Sequence, residues 1–141
     1  MINAPRLSLD DARQIIAACK LKAKEIEVDM DIAITDDSGN LIAFERMDSA
    51  RITSIQISID KAWTAAAARK STRDYWSASQ PGLPAYGINT SNNGRFSTVP
   101  GGIPIFVNIQ IVGGVGCSSG TPDQDELVAE VGAAAFLETL S

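Results

Sequence analysis

Histidine is absent from all 141 residues of the chain. This excludes a Ser-His-Asp triad, a Cys-His pair and a histidine-bearing zinc site. Any proton chemistry must therefore use Asp, Glu, Lys, Tyr, Cys or water. Cysteine occurs only at Cys19 and Cys117, too few for a disulfide framework, so reduced thiols are expected. Basic residues are outnumbered 17 to 12 by acidic ones, for a formal net charge of −5. Such a chain lacks the positive footprint that a nucleic-acid backbone requires. No apolar run approaches the length of a membrane span. The opening MINAPRLSLDD has no apolar core of the signal-peptide type, so a cytoplasmic location is expected. No metal-ligand spacing is recognisable. A small molecule is left as the expected partner.

Residues 1–141 are read as a single domain, long enough to bury a core. Ser8 opens a first helix, with Asp11 three residues on and apolar positions at Ala12, Ile15, Ile16, Cys19, Ala23 and Ile26. Cys19 falls on that stripe and is read as core. Asp29–Thr35 and Leu41–Arg46 alternate as strands around the turn-rich DDSGN. A second helix begins at Thr53 or Ser54 and is expected to bury Ile55, Ile59, Ala62, Trp63 and Ala66. Ser71 or Thr72 caps a short third helix that Pro81 stops. Residues 80–101 read as a long loop. Two strands, Ile103–Ile109 and Ile111–Val115, then lead into a glycine–serine loop, Gly113–Thr121. Thr121, Pro122 and Gln124 signal the start of a last helix, with Leu127, Val128, Val131, Ala135 and Leu137 as its buried side. The order α-β-β-α-α-β-β-α predicts an α+β domain with an antiparallel sheet and helices packed on it.

The chemistry-bearing candidates cluster late in the chain. Glycines allow a ligand to approach the backbone, and a helix start presents unpaired N–H groups to an anion. Gly114, Gly116, Cys117, Ser118, Ser119 and Gly120 are therefore candidate ligand-binding residues, as are Gly101 and Gly102 in the PGG segment. Asp123, Asp125 and Glu126 in the first turn of the last helix fit the helix macrodipole, and they would oppose an anion at the same end. Arg46 could clamp a carboxylate with its planar fork beside Asp48, or the two could pair internally; Arg51 is a second candidate cation. Lys61 at mid-helix reads as solvated or as a buried base. Cys117 reads as a helix-start thiolate or as a packing thiol. Tyr86 and Arg95 in the long loop are candidate lid residues.

Four stretches in order, ERMDSA (45–50), KAWTAA (61–66), PGGIPI (100–105) and GGVGCSSGTPDQDELVA (113–129), resemble the GlcG/HbpS family. That family includes the C-terminal domain of PduO-type cobalamin adenosyltransferases. The likeness runs from Leu7 to Leu140. It implies a profilin-like fold, a homo-oligomer, association with small-molecule catabolism and, for several members, haem. Haem-binding members use a histidine that this chain lacks. Cys117, Met30, Met47, a tyrosine or a hydroxyl could replace it as iron ligand, or haem could be held weakly or at the surface, and the cofactor stays unknown at this point. Two functions follow as expectations. One is a ligand-binding, haem- or tetrapyrrole-binding accessory protein. The other is an enzyme that moves a proton on a small carboxylate-bearing intermediate, of hydratase, lyase or isomerase type, with Glu126, Asp125 or Lys61 transferring the proton.

Overall fold

Ser8 and Asp11 cap one another reciprocally, and the first helix, α1 (Leu9–Glu25), starts there. In the computed structural model, which describes residues 1–141, it is followed by β1 (Asp31–Asp36), β2 (Leu41–Arg46), α2 (Thr53–Ala68) and α3 (Thr72–Ala78). β3 (Gly102–Val107), β4 (Gln110–Ser118) and α4 (Pro122–Glu138) complete the chain. The four strands form one antiparallel sheet in the order β2-β1-β4-β3. The expected α+β order is found, and the long loop of residues 80–101 carries only two short 3₁₀ turns, at Ile88–Thr90 and Asn92–Gly94.

The two faces of the sheet differ in chemistry, and that difference places the site. Ile32 and Ile34 of β1 and Val115 and Cys117 of β4 point to one face. There they meet Ile15, Ile16 and Cys19 of α1 and Val128, Ala129 and Phe136 of α4 in the apolar core. Alternation sends Asp31, Ala33 and Thr35, with Gly114, Gly116 and Ser118, to the other face, beneath α2. This face is small and polar.

Helix α2 rests on it almost backbone to backbone. A Cβ at Gly114 would overlap the Ala62 carbonyl, and one at Gly116 the Ser58 carbonyl and Ala62 N. Each glycine inside a strand costs about 0.5–1 kcal/mol relative to alanine; here the loss is offset by the close seating of the helix. These residues were expected in a loop, but they belong to β4, which runs on to Ser118. The connecting segment shrinks to Ser119–Thr121.

The buried side of α2 also departs from expectation. It is Ser54, Ser58, Lys61, Ala62, Thr64, Ala65 and Ala66, whereas Ile55, Ile59 and Trp63 are half-buried and Ile57 is exposed. A polar sheet face with no room for large side chains takes the small stripe of the helix and leaves the isoleucines outward. Leu127 and Leu137 of α4, expected inside, are likewise exposed.

Candidate functional site

Lys61 is the largest fully buried side chain in the molecule. Its ammonium donates to Asp125 Oδ2 at 3.0 Å and to the Cys117 carbonyl at 2.9 Å, so two of its three N–H donors are engaged. Asp125 is buried as well, and its Oδ1 accepts the Gly120 N–H at 2.8 Å. Burial pushes the Asp125 carboxyl above its ordinary range, against the opposing pull of Lys61, Gly120 and Arg51. The solvated reading of Lys61 is therefore corrected. The glycines of β4 bring α2 close enough that a mid-helix lysine has no route to water.

The PGG segment closes over this pair. Gly101 has φ +132, and a Cβ there would meet the Lys61 Nζ and the Cys117 carbonyl. Gly102 donates its N–H to Thr72 Oγ1 at 2.9 Å and abuts the Lys61 backbone. Beside the pair opens a cavity of about 240 Å³ lined by Arg51, Ser54, Lys61, Ser118, Gly120 and Asp125, among others. Ser118 Oγ donates to Ser54 Oγ at 3.1 Å across its floor.

Asp31 is the residue that the sequence did not single out. It is fully buried on β1 as the register partner of Ser118, so the two side chains share the polar face of the sheet. Neither carboxylate oxygen has a hydrogen-bond partner. Burial pushes the carboxyl up to about 6, held from rising further by the charges of Arg46 and Arg51. A buried carboxylate without partners is costly. The available signal was the strand DMDIAIT itself, where an acid occupies the phase opposite to Ile32 and Ile34.

The other expected residues divide into two groups. Lys61, Asp125, Ser118 and Gly120 meet at the cavity; Gly101 and Gly102 pack on Lys61, and Ser119 accepts the Arg51 N–H. Gly114 and Gly116 lie under α2 and serve its packing. Arg46 and Asp48 line a separate groove with Lys20, Lys24 and Glu45, and no ion pair joins the two. Glu126 accepts the Arg73 Nε–H at 2.8 Å and turns away from Lys61; Asp123 takes another N–H of the same arginine.

Cys117 is enclosed in the apolar core beside Cys19. Burial pushes its thiol well above the ordinary range, so of the two readings of Cys117 the packing thiol is the one that holds. Several amides at the start of α4 are engaged within the chain, because Gly120 donates to Asp125 and Thr121 and Gln124 cap each other. Of the expected lid residues, Arg95 lies over the Trp63 ring at 4.4 Å, and Tyr86 is exposed.

Residues 7–134 match the family described as Haem degrading protein HbpS-like. The chain belongs to this HbpS-like family. It is 38% identical over 132 residues to an uncharacterized 15.0 kDa protein in the dhaT-dhaS intergenic region of Citrobacter freundii, covering 94% of this chain and 93% of that one. The solved structure of protein ORFY from Klebsiella pneumoniae superposes with a TM-score of 0.95 at 36% identity, over 97% of this chain and 94% of that one. The structure of a PduOC:Heme complex superposes at 0.88 with 31% identity, over 92% and 94%. No helix of this HbpS-like chain is long and apolar enough to cross a membrane.

Proposed function

We propose that this chain is a small-ligand-binding accessory protein of small-molecule catabolism that works as a homo-oligomer, with its ligand in the cavity between the start of α2 and the end of β4. The observation that carries this reading is the convergence of Arg51, Ser54, Lys61, Ser118 and Asp125 on one cavity, next to the buried and unpartnered Asp31, which is the register partner of Ser118. Binding is favoured over proton transfer because Lys61 and Asp125 are engaged with each other and Glu126 with Arg73. The test is a thermal-shift screen of carboxylic acids, alcohols, amines and phosphates on the full chain. At least one class should raise the melting temperature, and Ser54→Val should abolish the rise. No rise with any class would end the reading. Light scattering on the same sample reports the oligomer.

A second reading is haem binding, supported by the PduOC:Heme complex. The residues of one chain do not fit it. Cys117 and Met30 are sealed in the core, and the Met47 sulfur already accepts the Met30 N–H. Tyr75 packs edge-on against Phe96, and of the two tyrosines Tyr86 is the exposed one. The two grooves at Arg46 and Arg51 are lined mainly by polar residues, whereas a macrocycle needs an apolar slot. Haem binding on this chain would thus use a surface shared between copies. A saturable Soret shift on titration with hemin, lost in Tyr86→Phe, is the result this reading expects; an unsaturable one ends it.

A further inference from the structure

The two edges of the sheet are not equivalent. The β3 edge is protected, because the Gly102 N–H goes to Thr72 Oγ1 at 2.9 Å and Pro104 has no N–H to offer. The β2 edge has neither device. The Met47 N–H donates to the Met30 carbonyl at 3.0 Å, and the same register sets Asp31 against Arg46 and Ile32 against Glu45. Bonded pairs alternate along an antiparallel ladder, so the N–H and C=O of Phe44 and Arg46 point away from β1. No other strand pairs with that side of β2.

An apolar helix side stands beside the open edge. Ile52, whose backbone is already helical, is followed by Ile55, Ile59 and Trp63 at intervals of three and four. Ile52 is 73% exposed, and the other three are half-buried. This stripe lies on the β2 side of α2. Trp63 stands against Gly39 in the turn that leads into β2, whereas Lys61, across the helix, abuts Gly102 of β3. Leu41 and Phe44 continue the surface onto the strand, as the register partners of Thr35 and Ala33 on the α2 face.

The charges select what covers it. Glu45 and Arg46 are the only charged residues of β2, and both lie at its end. Their signs cancel, so this edge is neutral in a chain of net charge −5. Two copies of β2 paired parallel would set like charges face to face. Paired antiparallel about Phe44, each strand sets Glu45 against the partner's Ala43 and Arg46 against the partner's Ile42, and no like charges meet directly. Arg46, whose strand neighbour Glu45 is taken by Lys20 at 2.8 Å, then lies diagonal to the partner's Phe44, within reach of a cation–π contact.

We propose that the β2 edge, with the Ile52–Trp63 stripe, is the surface on which a second copy of this chain docks, antiparallel and with the two-fold axis at Phe44. The two four-stranded sheets become one, and the two α2 stripes face each other. The paired Phe44 residues exchange both main-chain bonds and set the register. The open stretch of β2 is short, because Ile42 is the extra residue of a bulge toward β1, so the stripe supplies the apolar area. This inference rests on the homo-oligomer reading above and assigns its interface.

The experiment is sedimentation equilibrium of the full chain across a dilution series, with a thermal melt of every variant. The wild type is expected to associate in an even number of copies. Phe44→Lys and Phe44→Glu each place a charge against its own copy at the axis and should weaken association by at least about tenfold. An equal mixture of the two should recover it, because opposite charges then face. Ile52→Lys, at an exposed position, should weaken association with its melting curve unchanged, so the outcome does not hang on the folding of the Phe44 variants. Ile109→Lys, at the exposed β3–β4 turn, should leave association as it is. Undiminished association in the Phe44 and Ile52 variants, or a mixture that recovers nothing, would overturn this interface and leave the homo-oligomer standing. A wild type that stays monomeric would overturn both.

Discussion

Replacing Asp31 by asparagine should stabilise the protein at pH 7.5 relative to its effect at pH 4.5. In the fold the carboxyl ionises at about 6; in an unfolded chain it ionises near 3.9. The folded value is the higher one, so the native state holds more protons than the unfolded state across this window. Stability from this residue is greatest below about pH 4 and is lost as pH rises through 6. A separation of about two pH units corresponds to roughly 3 kcal/mol, of which about 2 kcal/mol falls between pH 4.5 and 7.5. Asparagine keeps the shape and removes the charge. Its buried amide adds a cost of about 1–3 kcal/mol, but that cost is the same at every pH. The informative quantity is therefore the change in the mutational offset with pH. The groups facing Asp31 do not confuse it, because Arg46 and Arg51 stay charged throughout and the serines are neutral. Thermal melts followed by circular dichroism, for both proteins at both pH values and one ionic strength, should show the offset growing by roughly 6–10 °C at pH 7.5. An offset equal at the two pH values, or larger at pH 4.5, would refute the reasoning.

The remaining predictions concern the packing around the site. Lys61→Met leaves Asp125 buried with the Gly120 N–H as its one close partner and should cost about 3–5 kcal/mol by urea denaturation; adding Asp125→Leu should return most of it. Gly116→Ala drives a methyl into the Ser58 carbonyl and should cost about 2–3 kcal/mol or more, because backbone cannot swing aside. Gly87→Ala meets open space at φ +86 and should cost only about 1 kcal/mol. Cys19 and Cys117 should resist a thiol reagent in the native protein and react fully in denaturant; rapid native labelling of Cys117 would contradict its enclosure.

The fold was legible because its signals are local. Ser8 with Asp11, Ser71, and Thr121 with Gln124 mark helix starts within four residues, and each cap is made as expected. The apolar face of the sheet was legible for the same reason, since Ile32, Ile34, Val115 and the α1 stripe obey simple periods. The site was less so. Lys61 looks solvated until Gly114 and Gly116, some fifty residues on, are seen to bring α2 against the strand. Periodicity likewise favoured Ile55 and Ile59 as the buried side of α2, because a polar sheet face inverts the usual rule and no pattern within the helix announces it. The glycine run was noticed for a ligand, yet at Gly114 and Gly116 what it admits is a helix.

That inversion explains why the site lies on one side of the sheet only. The α1–α4 face is closed by large aliphatic side chains, which leave no polar group to satisfy. The α2 face is closed by backbone contact through Gly114 and Gly116 and by the Lys61–Asp125 pair, neither of which reaches Asp31. Small residues permit the close approach, and close approach desolvates whatever acid shares the face. Desolvation then leaves Asp31 in need of a donor that no neighbouring element provides. Its register partner Ser118 lines the cavity at Ser54, while Asp31 itself is sealed beneath that wall. An unmet carboxylate that lowers stability at neutral pH is the kind of local conflict that a fold tolerates where a ligand resolves it. The pH dependence of the Asp31→Asn offset is thus the direct reading of that conflict, because it separates the buried charge from the packing around it.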